Sequence, residues 1–138
     1  MRVRQVMRAR VSVATPATSI HAVAALLKDR DIGMVPVMDN GRPVGVVTDR
    51  DLTIRLLTET GWSADGPVSR IMTPHVHSCG PDVDVVEAAR LMGEYQVRRL
   101  VVCDSDGTLV GIVSLGDIAR DASEELAGQA LGEIVEYR

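Results

Sequence analysis

The chain has 138 residues, a formal net charge of −4 and a hydrophobic fraction of 46%, which is the composition of an ordinary globular domain. Only 2% of the residues are aromatic, so the core has to be built from Val, Ala, Leu, Ile and Met. The negative charge and the scarcity of rings argue against nucleic-acid binding. No apolar run approaches the roughly 20 residues of a membrane span and no signal-peptide segment is evident, so we expect a cytoplasmic protein with no membrane partner.

The first half of the chain predicts a strand followed by a helix. The strand covers about residues 11–14, and Thr18 or Ser19 supplies the oxygen that caps the helix. The apolar residues of this helix have the spacing of one buried face: Ile20, Val23, Ala24 and Leu27.

A β-hairpin comes next. Its strands are predicted over residues 34–38 and 44–47, and Asn40-Gly41 between them tolerates the positive φ of a tight turn. The second strand ends at Thr48, whose hydroxyl can cap another helix.

The second half repeats this order of elements. It has a strand near residues 77–79, a helix capped by Asp82 or Asp84, a hairpin that turns at Asp106-Gly107, and Ser114 before a last helix. The matched motifs are Val6-Met7 with Ile71-Met72, and Gly45-x-x-Thr48-x-x-Asp51 with Gly111-x-x-Ser114-x-x-Asp117. The sequence therefore contains one unit twice.

This repeat predicts an α/β fold with two tandem, pseudo-two-fold units, each a small mixed sheet packed with two helices. The first unit is predicted over residues 1–60 and the second over 68–122. Residues 61–67 have the Gly, Ser and Pro content of a linker, and residues 123–138 read as a C-terminal helical tail.

These motifs resemble those of the cystathionine-β-synthase (CBS) domain pair, also called a Bateman module. The resemblance extends over residues 3–121 and includes the runs Ile32–Val37 and Val97–Val102. It implies a stand-alone regulatory module, not an enzyme, that binds an adenosine-containing molecule in clefts between its units and acts on an unknown effector in trans. It implies no obligatory cofactor, and AMP, ADP or ATP would be the regulatory ligand, although the sequence leaves NAD-like and S-adenosyl compounds open.

The resemblance also implies a homodimer. A dimer would cover apolar helix faces that one chain leaves open, and these faces contain Leu52, Leu56, Leu57 and Ile118.

The Gly-x-x-[Thr/Ser]-x-x-Asp motif suits a nucleotide on chemical grounds. Thr48 and Ser114 stand where a strand meets a helix N-terminus, whose free N–H groups favour an anion. Asp51 and Asp117 follow one turn later and can accept hydrogen bonds from both hydroxyls of a ribose. The alternative is that these residues only cap the helices and complement their dipoles.

The two copies differ in their cations. Arg98 and Arg99 precede the second hairpin, where the first copy has no charged residue, and their forked donors suit phosphate oxygens. In the CBS family one unit often contacts the phosphate of a ligand whose ribose the other unit holds. The resemblance thus implies that Arg98 and Arg99 contact a ligand held by Thr48 and Asp51, and Arg50, which lies beside Asp51, is a third cation candidate. The other site lacks such anchors, so we expect the two sites to be unequal.

An adenine ring needs an apolar slot. With few aromatic residues available, aliphatic side chains have to form it, and they could equally be core residues. The candidates are Met7, Val13, Ala14, Ile71, Met72 and Val97.

Other functions have weaker support in the sequence. His75 and His77 could bind a metal with Cys79 nearby, but two ligands do not make a site, and we expect none. No nucleophile elbow or Walker loop occurs, so we expect no catalysis. The alternatives are a partner-binding or stress-response dimer with vestigial nucleotide sites, and a metal- or redox-responsive protein that uses His75, His77, Cys79 and Cys103.

Overall fold

In a computed structural model the chain divides into two compact units. The Thr48 unit comprises Ser12–Val76, and the Ser114 unit comprises Met1–Val11 together with the chain from His77 onward. The structure describes residues 1–59, 61 and 63–136. Within these ranges no helix is long and apolar enough to cross a membrane.

The Thr48 unit is built on one antiparallel hairpin. Its elements are α1 (Ile20–Asp29), β1 (Met34–Asp39), β2 (Arg42–Thr48), α2 (Asp49–Asp51), a π-helical segment (Leu52–Leu56) and a 3-10 turn (Val68–Arg70). The hairpin turns at Asn40 and Gly41 with φ of 52° and 77°, as predicted. The strand predicted over residues 11–14 is instead a single parallel bridge between Ala14 and Val37, because the chain pairs with β1 at that one position.

Helix α1 begins after Ser19, whose hydroxyl accepts a hydrogen bond from the Ala22 N–H at 3.1 Å. The predicted stripe faces the core at Ile20, Val23 and Leu27, whereas Ala24 is half-buried. The apolar core of the unit also contains Ala14, Val35, Val37, Val47, Val68 and Ile71.

The Ser114 unit contains a mixed three-stranded sheet. Its elements are a 3-10 turn (Val3–Gln5), β3 (Ser78–Cys79), α3 (Val85–Tyr95), β4 (Arg99–Cys103), β5 (Leu109–Ser114), α4 (Leu115–Asp121) and α5 (Glu124–Val135). Strand β4 lies between β3, which is parallel to it, and β5, which is antiparallel. Helix α5 packs on α3 and α4, and Ile118 of α4 is 0% exposed. Ile118 therefore belongs to the core of its own unit, and the expectation that it lies on an open dimer face is wrong.

Each unit is completed by the segment that opens the other repeat. Arg8 exchanges two backbone hydrogen bonds with Ile112 of β5, at 2.8 and 3.0 Å. Thr73, the matched residue of the second repeat, exchanges two with Val46 of β2, at 2.9 and 2.8 Å. The α/β fold of repeated units is confirmed, but the compact units differ from the repeats predicted over 1–60 and 68–122, because these long-range backbone pairs exchange the opening segments.

The glycine of the repeated motif permits this pairing. A Cβ atom on Gly45 would lie 2.6 Å from the Met72 Sδ and 3.0 Å from the carbonyl oxygen of Thr73. On Gly111 it would lie 2.9 Å from the carbonyl oxygen of Arg8. Both carbonyl oxygens accept a hydrogen bond from the adjacent strand and cannot move away without losing it. Any side chain at these positions would push the opening segment off the sheet.

We expect Gly45→Ala to lower the free energy of unfolding by about 1–3 kcal/mol, because the added methyl group overpacks the Thr73 contact. The matched control is Gly128→Ala in α5, where a Cβ would meet nothing within 4 Å. That change should leave stability unchanged or raise it by about 0.5–1 kcal/mol, since Ala favours the helix. Urea unfolding followed by circular dichroism measures both. Equal stabilities for the two variants would contradict the close approach at Gly45.

Candidate functional site

Each hairpin ends in a hydroxyl residue that exchanges hydrogen bonds with an aspartate three residues on, and we call these sites the Thr48–Asp51 corner and the Ser114–Asp117 corner. The hydroxyls accept the N–H of the aspartate three residues on, at 3.2 and 3.0 Å. The carboxylates accept the N–H of Thr48 and Ser114, at 3.0 and 2.9 Å. These reciprocal bonds form a capping box, so the capping role is present at both corners.

At the Thr48–Asp51 corner the other donors to the carboxylate are neutral hydroxyls. Oδ2 of Asp51 accepts the Thr48 hydroxyl at 3.2 Å, and Oδ1 accepts the Thr73 hydroxyl at 3.1 Å. The Nε of Arg55 lies 3.8 Å from Oδ1, while its Nη1 donates to the backbone carbonyls of residues 71 and 72 at 3.2 and 2.9 Å. The Asp51 side chain keeps 13% of its surface exposed. This carboxylate is therefore held in place and is still partly open.

At the Ser114–Asp117 corner the carboxylate is paired with two guanidinium groups. Oδ1 of Asp117 accepts a hydrogen bond from Nη2 of Arg120 at 2.9 Å and lies 3.7 Å from Nε of Arg8. Arg120 also donates to Asp121, and hydrogen bonds to Asp121 and then Asp117 raise the pKa of Arg120 above its ordinary value. The Asp117 side chain is 2% exposed. Its oxygens are thus less available to a ligand than those of Asp51.

The difference between the corners follows from two pairs of matched positions, Thr73 with Arg8 and Ile54 with Arg120. Thr73 and Arg8 both pair with the adjacent strand at their corner, and one supplies a hydroxyl where the other supplies a cation. A threonine hydroxyl can rotate to donate elsewhere or to accept, so it can make room for a ribose hydroxyl. A charge-assisted pair is stronger and is harder to displace.

At the N-terminus of α2, where the sequence predicts an anion, the carboxylates of the protein's own aspartates supply the negative charge. The N–H of Asp51 donates to the Thr48 hydroxyl, and the N–H of Arg50 donates to the Asp49 carboxylate at 3.0 Å. Asp49 and Asp51 both lie in the first turn. A phosphate would meet these carboxylates, so its binding has to depend on cationic side chains.

Of the predicted cations, Arg98 and Arg99 belong to the Ser114 unit. Arg99 pairs with Ser114 across β4 and β5, and the carbonyl of Arg98 accepts the Leu115 N–H at 2.9 Å. Both arginines and Arg50 are exposed. Their contact with a ligand at the Thr48–Asp51 corner stays a prediction.

Two of the predicted adenine contacts, Ala14 and Met72, lie next to the Val37–Gly45 pair of the hairpin in the Thr48 unit. Ala14 bridges to Val37, which pairs with Gly45, and the Met72 side chain packs against that glycine. Ala14 is buried and Met72 is half-buried, whereas Val13 is 45% exposed. Val13 is therefore the most accessible of the three.

The histidines and cysteines do not form a ligand cluster. Across residues 1–59, 61 and 63–136, no group of three or more His, Cys, Asp or Glu side chains is placed to hold a metal ion. The His77 ring stacks on Tyr95 with centroids 4.3 Å apart. Burial, with a smaller effect from Cys103, raises the pKa of the Cys79 thiol to about 11. A thiol with so high a pKa is a poor redox sensor.

Sequence reasoning missed the four residues that complete the corners. Arg55 and Arg120 follow Asp51 and Asp117 at i+4 and i+3, the spacing of ion pairs on a helix, and could have been found from it. Thr73 and Arg8 reach the corners only through the exchange of opening segments.

Comparison with known proteins gives a family match over most of the chain. The model of the CBS domain matches twice, at residues 3–58 and 68–124. A CBS domain-containing protein of Bacillus subtilis, YhcV, is 38% identical over 133 residues, which cover 96% of this chain and 94% of that protein.

Solved structures give the same family. The CBS domain protein PAE2072 of Pyrobaculum aerophilum, complexed with AMP, has a TM-score of 0.80 and 26% identity, and covers 93% of this chain and 99% of that one. The CBS domain pair of MJ0100, in complex with 5-methylthioadenosine and S-adenosyl-L-methionine, has a TM-score of 0.79 and 26% identity over 91% and 98% of the two chains. Hypoxic Response Protein I with two coordinated zinc ions has a TM-score of 0.77 and 30% identity over 88% and 98%.

We expect Cys79 to resist alkylation in the folded protein. At pH 8 a raised pKa lowers the thiolate fraction, from about a quarter for an ordinary thiol to about 0.1% at a pKa near 11. Iodoacetamide labelling of Cys79, followed by mass spectrometry, should be slower by about a hundredfold in native protein than in urea-unfolded protein. Similar rates in the two states would restore the redox alternative.

Proposed function

Because the chain belongs to the CBS domain family and carries one pair of its repeats, we propose that it is a regulatory module, not an enzyme, that binds an adenine nucleotide of the AMP or ATP type. One observation carries the proposal: the hydrogen bonds to the Asp51 carboxylate come from neutral donors, with Nε of Arg55 3.8 Å away, and the side chain remains partly exposed. Binding at this corner would let the module report the level of its ligand to an effector protein in trans.

The ribose is the part of the ligand that this corner suits best. A carboxylate has about four lone-pair positions, and the hydroxyls of Thr48 and Thr73 fill two of those on Asp51. When these hydroxyls rotate, two ribose hydroxyls can donate in their place. The ligands named for PAE2072 and MJ0100 share the adenosine group and differ beyond it. Both similarities therefore support the ribose contact as the common element of recognition.

The Ser114–Asp117 corner is proposed as the weaker ribose site. A ribose there would have to displace Arg120 or Arg8 from a carboxylate that is almost fully buried. The sequence predicts the same order of the two sites from the positions of Arg98, Arg99 and Arg50.

A metal site is the second candidate, since Hypoxic Response Protein I holds zinc. The described residues of this chain offer no cluster of three ligands, and the raised pKa of Cys79 disfavours the thiolate that zinc binds. We therefore favour the nucleotide. The homodimer, the cytoplasmic location and the effector in trans stay predictions.

Replacing Asp51 by Asn should lower the affinity for adenosine and AMP by about ten- to a hundredfold, because a lost hydrogen bond to a charged group costs about 1.5–3 kcal/mol. Asp49→Asn is the matched control, since its carboxylate is in the same turn and has no contact with Thr73. Isothermal titration calorimetry measures both, with unfolding curves to confirm that each variant folds. If wild type bound no member of an adenosine, AMP, ADP, ATP, methylthioadenosine and S-adenosylmethionine panel, the chain would instead be a partner-binding dimer with vestigial sites.

Replacing Arg98 and Arg99 together by Ala should lower the affinity for AMP and ATP by about tenfold or more. The affinity for adenosine should stay within about twofold, because adenosine has no phosphate group for these arginines to contact. Competition of each ligand against a fluorescent adenosine analogue gives the comparison. An equal loss for adenosine and AMP would show that these arginines do not contact a phosphate.

A further inference from the structure

The side chain of Arg55 contacts both the carboxylate and the backbone at the Thr48–Asp51 corner. Its Nη1 donates to the carbonyl oxygens of Ile71 and Met72, at 3.2 and 2.9 Å, and its Nε lies 3.8 Å from Oδ1 of Asp51. Among the residues that the structure describes, no other donor reaches these two carbonyl oxygens. One guanidinium group therefore connects the carboxylate with the segment that opens the second repeat, and we call this connection the Arg55 bridge.

The two carbonyl oxygens stand at a helix end, which explains why they need a donor from elsewhere. Ile71 is the C-cap of the 3-10 turn Val68–Arg70, and the last carbonyl groups of a helix have no partner within it. Arginine side chains commonly donate to such carbonyls. The Ile71 side chain is 0% exposed, so Arg55 holds the backbone at a point that is also anchored in the core.

The helical turn after Asp51 has a different geometry from its counterpart at the other corner. Residues Leu52–Leu56 are π-helical, whereas α4 is a regular α-helix. A π-helix bonds residue i to residue i+5, so position i+4 projects in a different direction from the one it takes in an α-helix, and such turns are frequent at functional sites. In α4, Arg120 stands at i+3 and bonds the Asp117 carboxylate directly at 2.9 Å. Arg55 instead reaches past the carboxylate to the backbone.

The segment that Arg55 holds carries two groups of the proposed nucleotide site. Met72 is a candidate adenine contact, and its side chain packs on Gly45. The next residue, Thr73, donates its hydroxyl to Oδ1 of Asp51 at 3.1 Å. A ribose hydroxyl that takes the place of the Thr73 hydroxyl leaves both bonds from Arg55 to the backbone intact, because these bonds use carbonyl oxygens.

We propose that Arg55 is the positioning residue of this corner. The role rests on the nucleotide site proposed above: the Arg55 bridge keeps Met72, beside the adenine, at a fixed separation from Asp51, beside the ribose. A segment that is ordered before the ligand arrives loses less conformational freedom on binding, so the affinity is higher. Because its Nη1 is bonded to two carbonyl oxygens, Arg55 acts on the nucleoside part of the ligand and not on its phosphates.

Calorimetric titration of the full chain with adenosine and with ATP tests this role. In Arg55→Gln the affinities for both ligands should fall by about tenfold, since the two ligands share the nucleoside. Arg70→Gln is the matched control, because it removes the same charge from an exposed position on the segment that Arg55 holds. Its affinities should stay within about twofold of wild type. A loss for ATP alone would mean that Arg55 contacts a phosphate, and unchanged affinities would mean that it does not position the site, so either result overturns the proposal.

Arg55→Lys separates the bridge from the charge. Lysine keeps the positive charge, but its ammonium group cannot span Asp51 and both carbonyl oxygens as a forked guanidinium does. We expect Arg55→Lys to bind adenosine as weakly as Arg55→Gln, within about threefold. Full recovery of the wild-type affinity would show that charge alone is needed, and the Arg55 bridge would then be wrong.

Hydrogen exchange without any ligand tests the Arg55 bridge apart from nucleotide binding. The amides of Met72 and Thr73 donate to the carbonyls of Val68 and Val46, and in Arg55→Gln they should exchange about tenfold faster than in wild type. The Val101 amide of β4 should exchange at an unchanged rate, which distinguishes loosening of this segment from a general loss of stability. Unchanged exchange at Met72 and Thr73 would overturn the bridge.

The two proposals fail in distinguishable ways. If wild type binds no adenosine compound, the nucleotide site and the role of Arg55 in it are both wrong. If wild type binds adenosine and Arg55→Gln binds it equally well, the role of Arg55 alone is wrong.

Discussion

The backbone pairing of each opening segment with the hairpin strand of the other repeat is the interaction on which the rest of the fold depends. Thr73 pairs with Val46, and Arg8 pairs with Ile112, each through two hydrogen bonds. Without these pairs β2 and β5 would expose an unpaired edge. Met72 and Met7 would also lose their packing contacts with Gly45 and Gly111. The motif glycine and one partner of each carboxylate, Thr73 or Arg8, follow from this arrangement.

The exchange of opening segments also contributes to the chemical difference between the two corners. Both corners keep a hydroxyl and a carboxylate in the same capping geometry. Each carboxylate also contacts a residue of the opening segment, which is Thr73 for Asp51 and Arg8 for Asp117. The Asp51 carboxylate accepts a neutral hydroxyl, with Nε of Arg55 3.8 Å away, whereas the Asp117 carboxylate contacts two guanidinium groups at 2.9 and 3.7 Å. Together with Arg120, this difference leaves the Asp117 side chain 2% exposed and the Asp51 side chain 13% exposed.

Local signals in the sequence predict the hairpins and the helix caps correctly, whereas the ligand contacts of the two carboxylates stay predictions. Asn40-Gly41 encodes its turn, and Thr48 and Ser114 encode their capping boxes within three residues, so no distant information is needed. The exchange is different, because a pair such as Thr73 with Val46 has no periodicity or motif of its own. For the same reason Ile118 could not be assigned to the core before α5 was known to cover it. Thr73 and Arg8 reach the carboxylates only through this topology, so local sequence signals do not identify them.

If a ligand binds at the Thr48–Asp51 corner as proposed, the position of Thr73 limits how strongly that binding can act on the rest of the chain. Its hydroxyl bonds Asp51, and the backbone that follows it leads directly into β3 of the Ser114 unit. A ribose that takes the place of this hydroxyl on Asp51 exchanges one hydrogen bond, worth about 1 kcal/mol. A ligand can shift an equilibrium only by its differential interaction with the two states, so this route alone supplies about a fivefold change. Arg55 still holds the carbonyls of residues 71 and 72, which keeps the segment in place. A larger response therefore requires a second contact elsewhere.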